Sequence, residues 1–177
     1  MNSFTLKYLI VFVISIFLPA SAYAGQNLFA AAGIEQVNGK PPAKEFSLET
    51  MEGKKVSIGD FKGKVVFLNF WATWCPPCKF EMPAMENLYK RYKDKGLEIV
   101  AVNLQEGADT VKRFMQKNGY TFTALLDSNG DVSAVYNVSY LPITYIIDKN
   151  GKLVGKAIGA REWDSSSITN LVEELLK

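Results

Sequence analysis

Hydrophobic and polar positions divide this chain into three stretches of different pattern. Leu9–Leu18 is an almost unbroken apolar run closed by Pro19. Residues 25–40 mix Gly, Ala, Asn and Gln with no sustained period, and Pro41-Pro42 follow. From Glu45 onward, short apolar runs alternate with segments of helical spacing. In this third stretch Phe46–Leu48 and Lys55–Ile58 read as short strands joined by a turn at Glu52-Gly53. Val65–Phe70 is a continuous apolar run, the pattern of a strand buried on both faces. A helix is expected from the Cys75-Pro76-Pro77-Cys78 segment to about Lys95, with Met85, Leu88, Tyr89 and Tyr92 on one face and Gly96 ending it.

Leu97–Asn103 reads as the next buried strand. Asp109 or Thr110 should cap a helix that buries Val111, Phe114 and Met115 and stops at Asn118-Gly119. Phe122–Leu126 suits a strand and Asp131–Tyr136 a short helix. Ile143–Asp148 and Lys152–Ile158 are expected to form a hairpin, for which Asn150-Gly151 suits a type I′ turn. A last helix from about Ser165 to Leu176 carries Ile168, Leu171, Val172, Leu175 and Leu176 on one stripe. The order β-α-β-α-β-α-β-β-α implies one mixed sheet with helices on both faces, an α/β fold in three α/β/α layers.

The N-terminal run changes the picture of where the protein works. Lys7 precedes it, and Ala22-Tyr23-Ala24 has the small-x-small form of a cleavage site. At about half the ~20 residues that span a bilayer, it reads as an export signal over residues 1–24 or, if uncleaved, as an anchor. Residues 25–40 are then a linker and 41–177 the folded domain, in a periplasmic or otherwise extracytoplasmic location. The chain has 20 basic and 18 acidic residues, and its lysines are scattered among acids. No basic stripe speaks for nucleic acid.

Two absences narrow the chemistry further. There is no His in the 177 residues and there are only two Cys. Ser-His-Asp and Cys-His catalysis are therefore unavailable, and two thiolates cannot close a four-ligand structural zinc site alone. What remains is the pair itself. Cys75 and Cys78 sit where a buried strand meets a helix N-terminus, whose partial positive charge and unpaired N–H groups stabilise a thiolate. Cys75 is expected at the exposed start, attacking a disulfide, with Cys78 resolving the mixed disulfide. A merely structural bridge is disfavoured, because closing so short a loop contributes only about 2 kcal/mol, against about 3 for a fifteen-residue loop.

The segment Trp71-x-x-Trp74-Cys75-x-x-Cys78-x-x-Glu81-x-Pro83, the strand Val66–Phe70 and Tyr140-Leu141-Pro142-Ile143-Thr144 together resemble the TlpA/ResA-type branch of the thioredoxin superfamily. The resemblance covers about Pro41 to Lys177. It implies a thioredoxin fold with an N-terminal β-hairpin and a central helix-strand insert, for which the stretch between Asn103 and Pro142 leaves room. It implies that Pro142 is a cis-proline facing Cys75, with the Leu141 backbone free to pair with substrate. Asn69 matches the buried Asp that many thioredoxins use as proton acceptor, and it cannot titrate. Glu81 lies one helical turn beyond Cys78 and is expected, partly desolvated, to take that thiol's proton.

Trp74 should shield the disulfide and line the partner groove with Pro76, whereas Trp71 suits core packing and Pro83 should kink the helix. Pro76 and Pro77 lack N–H groups, so Cys75 should be less acidic than in strong oxidants and the protein a reductant. The resemblance implies protein dithiol and disulfide partners, for example the haem-binding cysteines of apocytochrome c. It also implies a membrane thiol carrier as electron donor, a monomeric state, and no cofactor or metal beyond the redox disulfide. The competing readings are a disulfide oxidase or isomerase and a non-catalytic thiol metallochaperone. A peroxidase, a neighbour by fold, would need a Thr-x-x-Cys that is absent here.

Overall fold

All seven residues of β4 (Val65–Trp71) are buried, and the strand's two-residue period feeds two cores at once. In the computed structural model, which describes residues 28–177, Val65, Phe67 and Trp71 point to one core and Val66, Leu68 and Phe70 to the other. Asn69 is in phase with Phe67 and Trp71, so a polar side chain enters the first core. The export-signal reading of residues 1–24 lies outside the described residues.

Eight strands form one mixed sheet, ordered β1-β8-β7-β4-β5-β6-β2-β3. Beside β4 run β5 (Leu97–Leu104) and then β6 (Thr123–Asp127), both parallel to it. On its other side β7 (Ile143–Ile147) runs antiparallel to β4, and β8 (Leu153–Ile158) antiparallel to β7. The hairpin of β2 (Ser47–Thr50) and β3 (Lys55–Ser57) closes one edge, and β1 (Glu35–Gln36) the other. Helices α1 (Pro76–Tyr92), α2 (Ala108–Asn118) and α4 (Ser166–Leu175) cover the first core. The short α3 (Asp131–Val135) and the 3-10 turn Ile58–Phe61 cover the second. This is the expected three-layer fold, with the expected hairpin and an α2–β6 insert between β5 and β7.

Helix α1 forms where the sequence placed it. Proline occupies its first two positions, where a missing N–H costs nothing. Its apolar face buries Met82, Met85 and Leu88 completely, each contributing roughly 1.5–3 kcal/mol. The helix continues through Pro83, tightens into a 3-10 turn at Lys93–Lys95 and stops at Gly96, whose φ of 102° favours glycine.

Three local expectations are corrected. The N-cap of α2 is Gly107 rather than Asp109 or Thr110; Asp109 instead lies in the first turn, where its charge suits the helix dipole. The β7–β8 turn has positive φ at Gly151 but not at Asn150, so it is not type I′. The Asp148 carboxylate accepts from the N–H groups of Asn150 and Lys152 at 2.9 and 3.0 Å and holds a wider turn. The third correction concerns residues 25–40, expected as a linker: within the described part, residues 28–31 are helical and β1 pairs with β8. Phe29 and Ile34 pack over Gly155, where an added Cβ would lie 2.9 and 3.0 Å from them. The composition hid this because a short edge strand carries too few residues to show a period.

If residues 28–36 belong to the folded unit, Phe29→Ala should cost about 3 kcal/mol in urea unfolding. A linker residue would change nothing measurable.

Candidate active site

Cys75 is the N-cap of α1, and its sulfur is bonded to that of Cys78 three residues on, with Cα atoms 5.3 Å apart. The Cys78 N–H points at Cys75 Sγ from 3.3 Å. Pro76 and Pro77 fill the two positions between, so that N–H is the nearest backbone donor the first turn offers the sulfur. Cys78 is fully buried. Cys75, expected at an exposed position, is only 3% exposed. With the disulfide closed, its sulfur is turned inward to Cys78, and one edge reaches a groove.

That groove holds about 430 Å³ and is lined by Trp74, Cys75, Pro76, Pro77, Leu104, Gln105, Val138, Ser139, Tyr140 and Leu141, none of them charged. Trp74 and Tyr140 stand 66% and 72% exposed along it. Trp74 therefore lines the groove beside Cys75 and leaves much of its ring open to solvent. The Leu141–Pro142 peptide is cis. Leu141 faces the groove beside Cys75, and Pro142, the next residue, is buried. Neither the N–H nor the C=O of Leu141 has a backbone partner among the described residues, which leaves both available to an extended segment.

Behind the disulfide lies Glu81, one turn along α1 and completely buried. Its Oε1 accepts from Asn69 Nδ2 at 2.9 Å, and its Oε2 from the Trp163 indole at 2.7 Å and the Arg161 N–H at 3.3 Å. The expectation of partial desolvation understates its burial. Burial pushes its carboxyl from 4.5 up to about 7, against these three donors and the Arg161 charge, all of which favour the carboxylate. The other Asn69 amide hydrogen goes to Thr144 Oγ1 at 2.9 Å. An acid that changes charge near neutral pH, one turn from a thiol, can accept and return a proton.

The structure adds groups that the sequence did not single out. Trp163 and Arg161 come from the loop between β8 and α4, and only the folding of that loop onto α1 brings them to Glu81. Glu106 clamps the loop before Cys75: it accepts from the Thr73 N–H at 2.6 Å, from the Thr73 hydroxyl, and from Asn103 Nδ2 at 2.8 Å. No periodicity or spacing marks these residues. Among the described residues, no three His, Cys, Asp or Glu side chains converge as for a metal ion.

The sequence profile of the AhpC/TSA family matches residues 40–156. Thiol-disulfide oxidoreductase ResA of Bacillus subtilis (strain 168) is 46% identical over 128 residues, 72% of each chain. ResA of Bacillus thuringiensis (strain Al Hakam) is 40% identical over 155 residues, 86% of this chain and 90% of that one. Among solved structures, a thiol:disulfide interchange protein of the thioredoxin family from Chlorobium tepidum TLS superposes with a TM-score of 0.69. It is 28% identical and covers 80% of this chain and 99% of that one. StoA from Bacillus subtilis gives 0.61 at 29% identity, over 78% and 99% of the two chains.

Glu81 should mark the pH dependence of folding. Its folded value of about 7 lies above the ordinary 4.5, so the folded chain binds more protons than the unfolded chain in that interval. Its contribution is complete below pH 4.5 and lost as pH rises through about 7, up to about 3 kcal/mol in all. Urea unfolding of wild type and Glu81→Gln across this range should show wild type losing stability relative to the variant as pH rises. A constant difference would mean that Glu81 does not titrate there.

Proposed function

The chain belongs to the AhpC/TSA family as a thioredoxin-like thiol-disulfide oxidoreductase, and we propose that it is an exported reductant of protein disulfides with Cys75 as nucleophile and Cys78 as resolving thiol. The observation that carries this reading is a redox pair at the start of α1, one sulfur edging an uncharged groove and a buried acid one turn behind the other.

In the reduced protein, the Cys75 thiolate attacks a partner disulfide. A bond forms between Cys75 Sγ and one partner sulfur, and the other partner sulfur leaves as a thiolate. Cys78 then gives its proton to the Glu81 carboxylate. Side chains three residues apart on a helix have Cβ atoms about 5–6 Å apart, close enough for transfer directly or across one water. The Cys78 sulfur attacks Cys75 Sγ, the protein disulfide closes, and the second partner thiolate departs. Two electrons have moved to the partner, whose thiolates collect one proton returned by Glu81 and one from solvent.

The direction rests on the first turn of α1. Pro76 and Pro77 remove two N–H groups, and the Cys78 N–H remains to stabilise a Cys75 thiolate. A less stabilised thiolate means a less stabilised reduced form and a lower reduction potential. Export rests on the apolar run and Ala22-Tyr23-Ala24. Two-electron recharging then falls to a thiol carrier in the membrane, and apocytochrome c cysteines are a substrate of the right chemistry. The uncharged groove favours partners whose cysteine is flanked by uncharged residues.

Equilibration with a glutathione or dithiol buffer should place the potential well below roughly −120 mV, the range of a strong oxidant; a value near that range would overturn the reductant reading. Pro77→Ala restores an N–H at the second helical position and should raise the potential by about 20–30 mV. Cys78→Ala should accumulate partners covalently held at Cys75 and release them with dithiothreitol, whereas Cys75→Ala should hold none.

A further inference from the structure

Trp163 belongs to no part of the redox motif, yet its polar atom is spent on it. The residue is fully buried, and its ring packs edge-on against Phe67 of β4 at 5.5 Å. Phenylalanine could fill much of that slot without needing an acceptor. Indole brings an N–H that must be paired inside the protein, and the partner is Glu81 Oε2 at 2.7 Å. The same loop places the Arg161 N–H on the same oxygen at 3.3 Å. From β4, Asn69 Nδ2 reaches only Oε1.

This division has a chemical consequence. A carboxylate oxygen has two in-plane lone pairs. Both on Oε2 are taken by the β8–α4 loop, whereas Oε1 has one donor and one lone pair free. We propose that Trp163 is the positioning residue of this site: its indole N–H closes Oε2, directs the exchangeable proton to Oε1, and holds Glu81 in the charged form that can accept it. The proposal rests on the reading that Glu81 takes the Cys78 proton. It adds which oxygen receives that proton and which distant residue sets the pH at which this happens.

Every element around Glu81 contributes to the balance. On α1 the titratable neighbour is Cys78, once the disulfide opens. Strand β4 offers neutral Asn69, and behind it β7 offers neutral Thr144. The β8–α4 loop brings Arg161, the charge that acts on Glu81. None of these replaces the indole, because the Arg161 contact to Oε2 is a longer backbone bond. Removing the indole donor takes away a hydrogen bond that favours the carboxylate, so the midpoint of Glu81 should rise by about one to two pH units.

The first experiment needs no substitution at Trp163. The chain has three Trp, so nitrogen-15 labelling gives three indole N–H signals. In the oxidised protein, one signal should move through a single transition near neutral pH and become flat in Glu81→Gln. Three flat signals, or a transition that persists in Glu81→Gln, would overturn the proposal even if Trp163→Phe failed to fold. In Trp163→Phe, the infrared carbonyl band of protonated Glu81, identified by its loss in Glu81→Gln, should persist to higher pH by the stated shift. The pH midpoint for resolution of a mixed disulfide with a model peptide should move with it. A purely structural role would lower stability at every pH and leave both midpoints in place, which sinks the proposal. If the infrared midpoint moves and the resolution profile does not, the indole contact stands and the reading of Glu81 as proton acceptor fails. If neither midpoint moves in Trp163→Phe but Glu81→Gln alters resolution, that reading stands and the role of Trp163 fails.

Discussion

A carboxyl group sealed between α1, β4 and the β8–α4 loop is expensive to ionise, and three donors have been gathered around it to lower that cost. Neither side wins outright. Desolvation pushes the Glu81 carboxyl up, and the donors together with the Arg161 charge pull it back down. The balance leaves the carboxyl at about 7 instead of 4.5. This constraint accounts for several otherwise unconnected features: a polar Asn69 in an apolar strand, an indole aimed at an acid, and a backbone N–H of Arg161 turned inward.

The same strand and helix hold the sulfurs. Strand β4 is pinned on both sides, by β5 in parallel and β7 antiparallel, so its C-terminal end has little freedom. Glu106 then fixes Thr73 by main chain and side chain, and α1 begins three residues later. The disulfide is thus presented from rigid elements on both sides, with one edge open to a groove. Because no charged side chain lines that groove, what it offers a partner is shape, apolar surface and the main chain of Leu141, unpaired among the described residues. The surface gives no reason to expect strongly salt-dependent encounter.

The positions where sequence and structure part are instructive in physical terms. Buried strands and amphipathic helices were legible because each repeats a signal over many residues, as Val65–Trp71 and Ile168–Val172 do. Residues 28–36 were not, since a two-residue strand and a short helical segment have no period to detect and owe their order to Phe29 and Ile34 packing on Gly155. The β7–β8 turn departed from expectation because the Asp148 side chain competes for the N–H groups that would define a tighter turn. Cys75 proved nearly buried because a closed disulfide turns the sulfur inward, a state that composition does not encode.

The chain's local chemistry determined the redox pair, its place at a helix N-terminus, the prolines that strip donors from the first turn, and an acid one turn behind. All of these lie within a dozen residues, where covalent geometry and helical spacing fix who meets whom. Tertiary structure alone decided what Glu81 is. Whether an acid on that helix face is a solvated carboxylate or a buried proton acceptor depends on Asn69, Arg161 and Trp163, which arrive from three-dimensional packing. Burial and hydrogen bonding are properties of the surroundings rather than of the residue, and no local pattern carries them.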